Sequence, residues 1–85
     1  MRLEGAQIRP FEGLIGKKLW ERVVNNSVRG LVKITIFDHP GDIGAAILAI
    51  TDKKGRTCFE YPGIAGFDHA LREAKKLVKI YRGDL

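Results

Sequence analysis

Eighty-five residues carrying fifteen Lys and Arg against ten Asp and Glu give a formal charge of +5 and a pI near 9.7. At 45% hydrophobic and 29% charged residues the composition is that of a folded domain, and it excludes the low-hydrophobicity, high-charge class of disordered chains. A chain of this size buries only about 60–65% of its unfolded surface, enough for one core, so one layer of sheet with helix packed on it is expected.

Cys58 stands alone, so no internal disulfide is available and a reducing, cytoplasmic setting is expected. Residues 1–10 contain Arg2, Glu4 and Arg9 and lack the apolar block of a signal peptide. The longest apolar run, 43–50, is less than half of what a bilayer crossing needs, so no membrane partner is expected.

In chain order, residues 1–10 read as an N-terminal arm or edge strand held by Leu3 and Ile8, and residues 11–85 as a single α+β domain. Over 10–24, Phe11, Leu14, Ile15, Leu19 and Val23 fall close to a helical stripe, with Pro10 suited to the first helical position, so a first helix is expected. Gly13 and Gly16 weaken it by about 1 kcal/mol each, and the competing reading makes 19–24 a strand that turns at Asn25-Asn26-Ser27. Residues 28–37 alternate, with Val28, Val32, Ile34 and Ile36 on one face and Arg29, Lys33 and Thr35 on the other, the pattern of a half-buried strand. His39-Pro40-Gly41-Asp42 supplies a turn in which Gly41 takes a positive φ.

Residues 43–51 are apolar on both faces and belong at the centre of a sheet. Asp52-Lys53-Lys54-Gly55 is a hairpin turn, in which the aspartate accepts from the backbone two residues on. Residues 56–61 return as a strand, Thr57, Phe59 and Tyr61 facing the core. Residues 66–84 then form a helix with Phe67, Ala70, Leu71, Ala74, Leu77, Val78 and Tyr81 as its apolar stripe and Gly83 as its cap. The fold class expected is therefore α+β in the order α-β-β-β-α, a three-stranded antiparallel sheet with a helix before it and a basic amphipathic helix after it.

Two basic groups stand out. Arg72, Lys75, Lys76, Lys79 and Arg82 lie on the outer face of the last helix against Asp68 and Glu73, and Lys53, Lys54 and Arg56 lie at the hairpin tip. Cations spaced in this way can follow a phosphate backbone, and equally serve as solvated faces. Trp20, beside the best apolar stripe, is a candidate protein-interface anchor. Asp38, His39 and Asp42 carry metal-binding atoms, but turn chemistry already accounts for them. The glycines of 63–66 lack the lysine and hydroxyl of a phosphate loop. No catalytic residue, cofactor or metal is expected, and the chain does not read as an enzyme.

The order of elements resembles double-stranded RNA-binding domains and antitoxins of the HicB type, although His39-Pro40 is reversed and Lys75-Lys76 lies mid-helix relative to the former. Residues 31–82, three strands and a helix, are similar in order to the arm-binding domains of tyrosine recombinases, which insert a sheet into the major groove of DNA. These resemblances imply nucleic acid as the partner. The function expected is a small non-catalytic module that binds DNA or RNA through the basic helix and the hairpin tip. The alternative is a regulatory adaptor, antitoxin-like or inhibitor-like, that binds an acidic protein or a second copy of itself through a strand edge or the Trp20 region.

Overall fold

A computed structural model describes residues 9–10 and 13–83 as β1 (Arg9–Pro10), β2 (Lys18–Asn26), β3 (Gly30–Asp38), β4 (Ala46–Asp52), β5 (Gly55–Tyr61) and α1 (Gly66–Arg82). Every strand pair is antiparallel, in the spatial order β1-β5-β4-β3-β2. Four long strands followed by one C-terminal helix therefore replace the expected α-β-β-β-α order, and no helix precedes the sheet among the described residues. The likenesses to double-stranded RNA-binding domains and to antitoxins of the HicB type rested on that first helix and fall with it.

The first helix fails for a physical reason. Trp20, Val23 and Val24 are aromatic and β-branched and prefer a pleated surface, while Gly13 and Gly16 remove helix propensity from the segment that would have nucleated it. Gly16 has another use: its N–H donates to the Asp38 carbonyl at 2.8 Å, and a Cβ there would stand 2.8 Å from that same oxygen. The apparent stripe of Leu14, Leu19 and Val23 stays exposed, whereas Val24 is buried and Trp20 packs against the core. A bulge between Lys18 and Trp20 sets this phase. Phe11 and Glu12 of the expected helix, and most of the N-terminal arm, lie outside the described residues.

β4 is central, as its two-faced apolar sequence requires, although it starts at Ala46; Ile43 sits in the preceding turn and is 92% exposed. The positive-φ glycine of that connection is Gly44, not Gly41, and its carbonyl accepts the Phe67 N–H at 3.2 Å. One face of the sheet carries Val24, Val32, Ile34, Ile36, Ala46, Leu48, Ile50 and Tyr61, and α1 lays Ala70, Ala74, Leu77 and Tyr81 onto it. Each large side chain buried here stabilises the fold by about 1.5–3 kcal/mol. The opposite face carries Glu21, Val23, Lys33, Thr35, Phe37, Ile47, Ala49, Thr51, Arg56 and Cys58, with Thr35, Ile47 and Ala49 buried. No described helix is long and apolar enough to cross a membrane.

Gly66 lets α1 begin hard against the sheet. A Cβ at this position would overlap the Tyr61 carbonyl oxygen and stand 2.8 Å from Ala45 Cα, both backbone atoms that cannot yield. Gly66→Ala is therefore expected to lower stability by about 3 kcal/mol in urea denaturation, while Gly41→Ala, which meets only the His39 ring at 3.7 Å, changes it by less than about 0.5.

The Tyr61 hydroxyl is buried without a hydrogen-bond partner. Burial, with the Glu73 carboxylate adding to it, holds its pKa well above the ordinary phenol value. Because the folded pKa is raised, the contribution of the neutral phenol is complete below about pH 10, where the unfolded side chain titrates, and is lost as pH climbs beyond it. Tyr61→Phe is expected to stabilise the fold by about 1 kcal/mol at neutral pH and to flatten the alkaline fall in stability above about pH 10, both read by denaturation at stepped pH.

Candidate nucleic-acid interface

The β2–β3 and β4–β5 turns lie at the same end of the sheet, since Asn26 pairs with Gly30, Lys33 with Thr51 and Asp52 with Gly55. The C-terminus of α1 arrives there too. Asn26 makes the join: its Oδ1 accepts the Val28 and Arg29 N–H groups at 2.9 and 2.8 Å, and its Nδ2 donates to the Tyr81 carbonyl at 2.6 Å. Arg29 then lies 5.2 Å from the Tyr81 ring centroid and 3.3 Å from Asp52 Oδ2. Asp52 Oδ1 in turn accepts the Lys54 N–H at 2.9 Å, the turn bond the sequence anticipates, and Gly55 closes the hairpin at φ +133°.

This chain of contacts gathers Arg29, Lys33, Lys53, Lys54, Arg56, Lys79 and Arg82 at the turn end. Asp52 is the only carboxylate there among the described residues. Asp38, Asp42, Glu60 and Asp68 occupy the opposite end, around the start of α1. His39 Nε2 and Glu60 Oε2 lie 2.9 Å apart at that end, and the His39 ring Nδ1 accepts the Gly41 N–H at 3.1 Å, so the turn imidazole is held by its own loop and by β5.

Two concavities border the basic end. A notch of about 380 Å³ between the turns is lined by Val28, Arg29, Asp52, Lys53 and Lys54. A shallow trough of about 690 Å³ on the face away from α1 is lined by Lys18, Glu21, Lys33, Thr35, Phe37 and Arg56, among others. Val23, Lys33, Thr51 and Arg56 form one cross-strand row of that face. Lys18 pairs with Glu21 at 3.1 Å at the trough's far side.

The structure thus divides the residues that sequence reasoning grouped. Lys53 and Lys54 project at the hairpin tip, Arg56 stands on the face away from the helix, and Lys79 and Arg82 reach the same end from α1. Arg72, Lys75 and Lys76 are exposed on the helix surface turned away from the sheet, with Lys76 Nζ 3.7 Å from Glu73. Glu73 itself is buried, not on the outer face as the helical pattern indicated. Trp20 packs against the core on the helix side, with the Arg22 guanidinium 5.3 Å from its ring. Arg29 and Lys33 were missed. Lys33 is signalled by its alternation with Val32 and Ile34; Arg29, read in the same alternation, lies instead in the β2–β3 turn, where Val28 is exposed and not on the buried face. Comparison with protein-family models, with curated proteins and with solved structures finds no match.

Asn26→Asp keeps the acceptor and removes the donor, and at neutral pH it sets a carboxylate against the Tyr81 carbonyl at the negative end of the helix dipole. The expected loss is about 1–2 kcal/mol at pH 7. This environment raises the folded pKa of the new carboxyl, so the deficit relative to the parent should shrink below about pH 4, where the acid form donates; paired urea titrations at the two pH values check it.

Proposed function

We propose that this chain is a non-catalytic nucleic-acid-binding module whose contact surface is the turn end of its sheet. The observation that supports this most is the convergence of charge: the hairpin tip, the β2–β3 turn and the end of α1 bring their cations to one end with Asp52 the only carboxylate there among the described residues, whereas the other end mixes Asp38, Asp42, Glu60 and Asp68 with Lys17 and Lys18. A concentrated excess of one sign is what a surface seated on a polyanion requires, whereas cations distributed for solubility need no common direction. Lys53 and Lys54 supply point charges at the tip, and Arg29, held by Asp52 and stacked on Tyr81, offers a planar donor set already fixed in place. Lys33 and Arg56 extend the contact onto the sheet face, where Thr35 and Thr51 hydroxyls and the Phe37 ring line the trough. Arg72, Lys75 and Lys76 lie outside this footprint.

Salt titration of binding to duplex and single-stranded DNA and RNA tests the reading. Seven phosphate contacts, from Arg29, Lys33, Lys53, Lys54, Arg56, Lys79 and Arg82, correspond to a slope of log affinity on log salt of about −6 for duplex DNA. Lys53→Ala with Lys54→Ala should weaken binding uniformly across sequences by about 10- to 100-fold and reduce the slope by about 2, and Lys75→Ala with Lys76→Ala should change affinity by less than about threefold. Equal losses in the two double variants would reject the turn end as the contact surface.

A further inference from the structure

β2 is the outer strand of the sheet, and its free edge pairs with no described element. It runs for nine residues without Gly or Pro. The half nearest the bulge is guarded in the usual manner of edge strands, by the bulge itself and by Lys18, Glu21 and Arg22. The half nearest the turn is not. There Val23 is 53% exposed, and Leu31, on the neighbouring strand and the same face, is 67% exposed. We propose that a second copy of this chain adds at this edge, β2 antiparallel to β2 about a two-fold axis at Val23, so that two sheets become one.

Charge along the strand selects the register. In an antiparallel pair the residues directly opposite share a face, so a two-fold axis falls on a residue. An axis at Glu21 would oppose two carboxylates, and one at Arg22 would oppose two guanidinium groups. An axis at Val24 shortens the overlap and centres it on a side chain its own core already buries. With the axis at Val23, Val23 meets Val23, Glu21 meets Asn25 and Arg22 meets Val24, so every charge faces an uncharged partner. The two exposed valines cover each other, and the Leu31 side chains flank them.

The pairing has a consequence for the nucleic-acid reading above, on which it rests. A two-fold axis that sets β2 antiparallel to β2 reverses the strand direction, so the turn ends of the two copies point opposite ways. The dimer therefore presents two separate basic ends, each complete in its own copy, and is able to bridge two nucleic-acid segments.

Sedimentation equilibrium without nucleic acid tests the pairing first. A concentration-dependent dimer is expected, and Val23→Glu, at a half-exposed position that the monomer fold tolerates, should weaken it by more than about tenfold. In a Cys58→Ala background, Val23→Cys should give a disulfide-linked dimer on mild oxidation, and Asn25→Cys, far from the axis, should not. A monomer at all accessible concentrations, a dimer indifferent to Val23→Glu, or equal cross-linking at the two positions would overturn the proposal. Binding to a short duplex of about one helical turn then separates the claims: one duplex per chain, with two duplexes bridged by the dimer and the bridging but not the binding lost in Val23→Glu, is the expected result. Salt-dependent binding by a chain that never dimerises would overturn the dimer and leave the module; a Val23-dependent dimer that binds no nucleic acid would overturn the module and leave the dimer.

Discussion

Asn26 makes three hydrogen bonds, two closing the β2–β3 turn and one holding the last turn of α1 to the sheet. The placement of the basic end depends on that small cluster. At its other end α1 is seated through Gly66 and through the Phe67 N–H on the Gly44 carbonyl. A helix fixed at both ends has its direction over the sheet decided, and with it the fact that Lys79 and Arg82 arrive beside Arg29, not at the opposite side of the molecule. The apolar stripe supplies most of the stabilisation, but it is compatible with several crossing angles; the polar bonds at the two ends choose one.

Much of the scaffold is written locally. Alternation over 28–37, the two-faced apolar run of 43–51, the Asp52 hairpin and the three-and-four spacing of α1 each carry their own signal because a strand with one buried face and a helix with one stripe have different periods, although β3 starts only at Gly30 and β4 at Ala46. β2 does not carry one. Leu14, Leu19 and Val23 imitate helical spacing, yet all three remain exposed, and the residues that face the core, Trp20 and Val24, are too few and too interrupted by Arg22 to show alternation. A bulge adds one residue and breaks the period of two at the point where it would have been read. Tertiary pairing with β3 decides this segment.

Cations are legible by type and illegible by place. Lys53, Lys54 and Arg56 announce a basic tip, and α1 announces a basic face, but whether the two meet depends on where the helix ends, which Asn26 decides over a separation of 55 residues. Glu73 shows the converse. Helical spacing assigned it to solvent, whereas the angle of α1 turns it inward beside Tyr61, where its carboxylate helps keep the phenol protonated.

Seven cations around one carboxylate make the turn end a concentrated positive pole, while Lys17 and Lys18 beside Asp38 leave the helix-start end nearly balanced. Ions screen charge beyond roughly 8 Å at physiological salt, so the mixed charges of the far end do little to offset the field at the turns. As ionic strength falls that field reaches further from the surface, and the molecule behaves as a body charged at one tip.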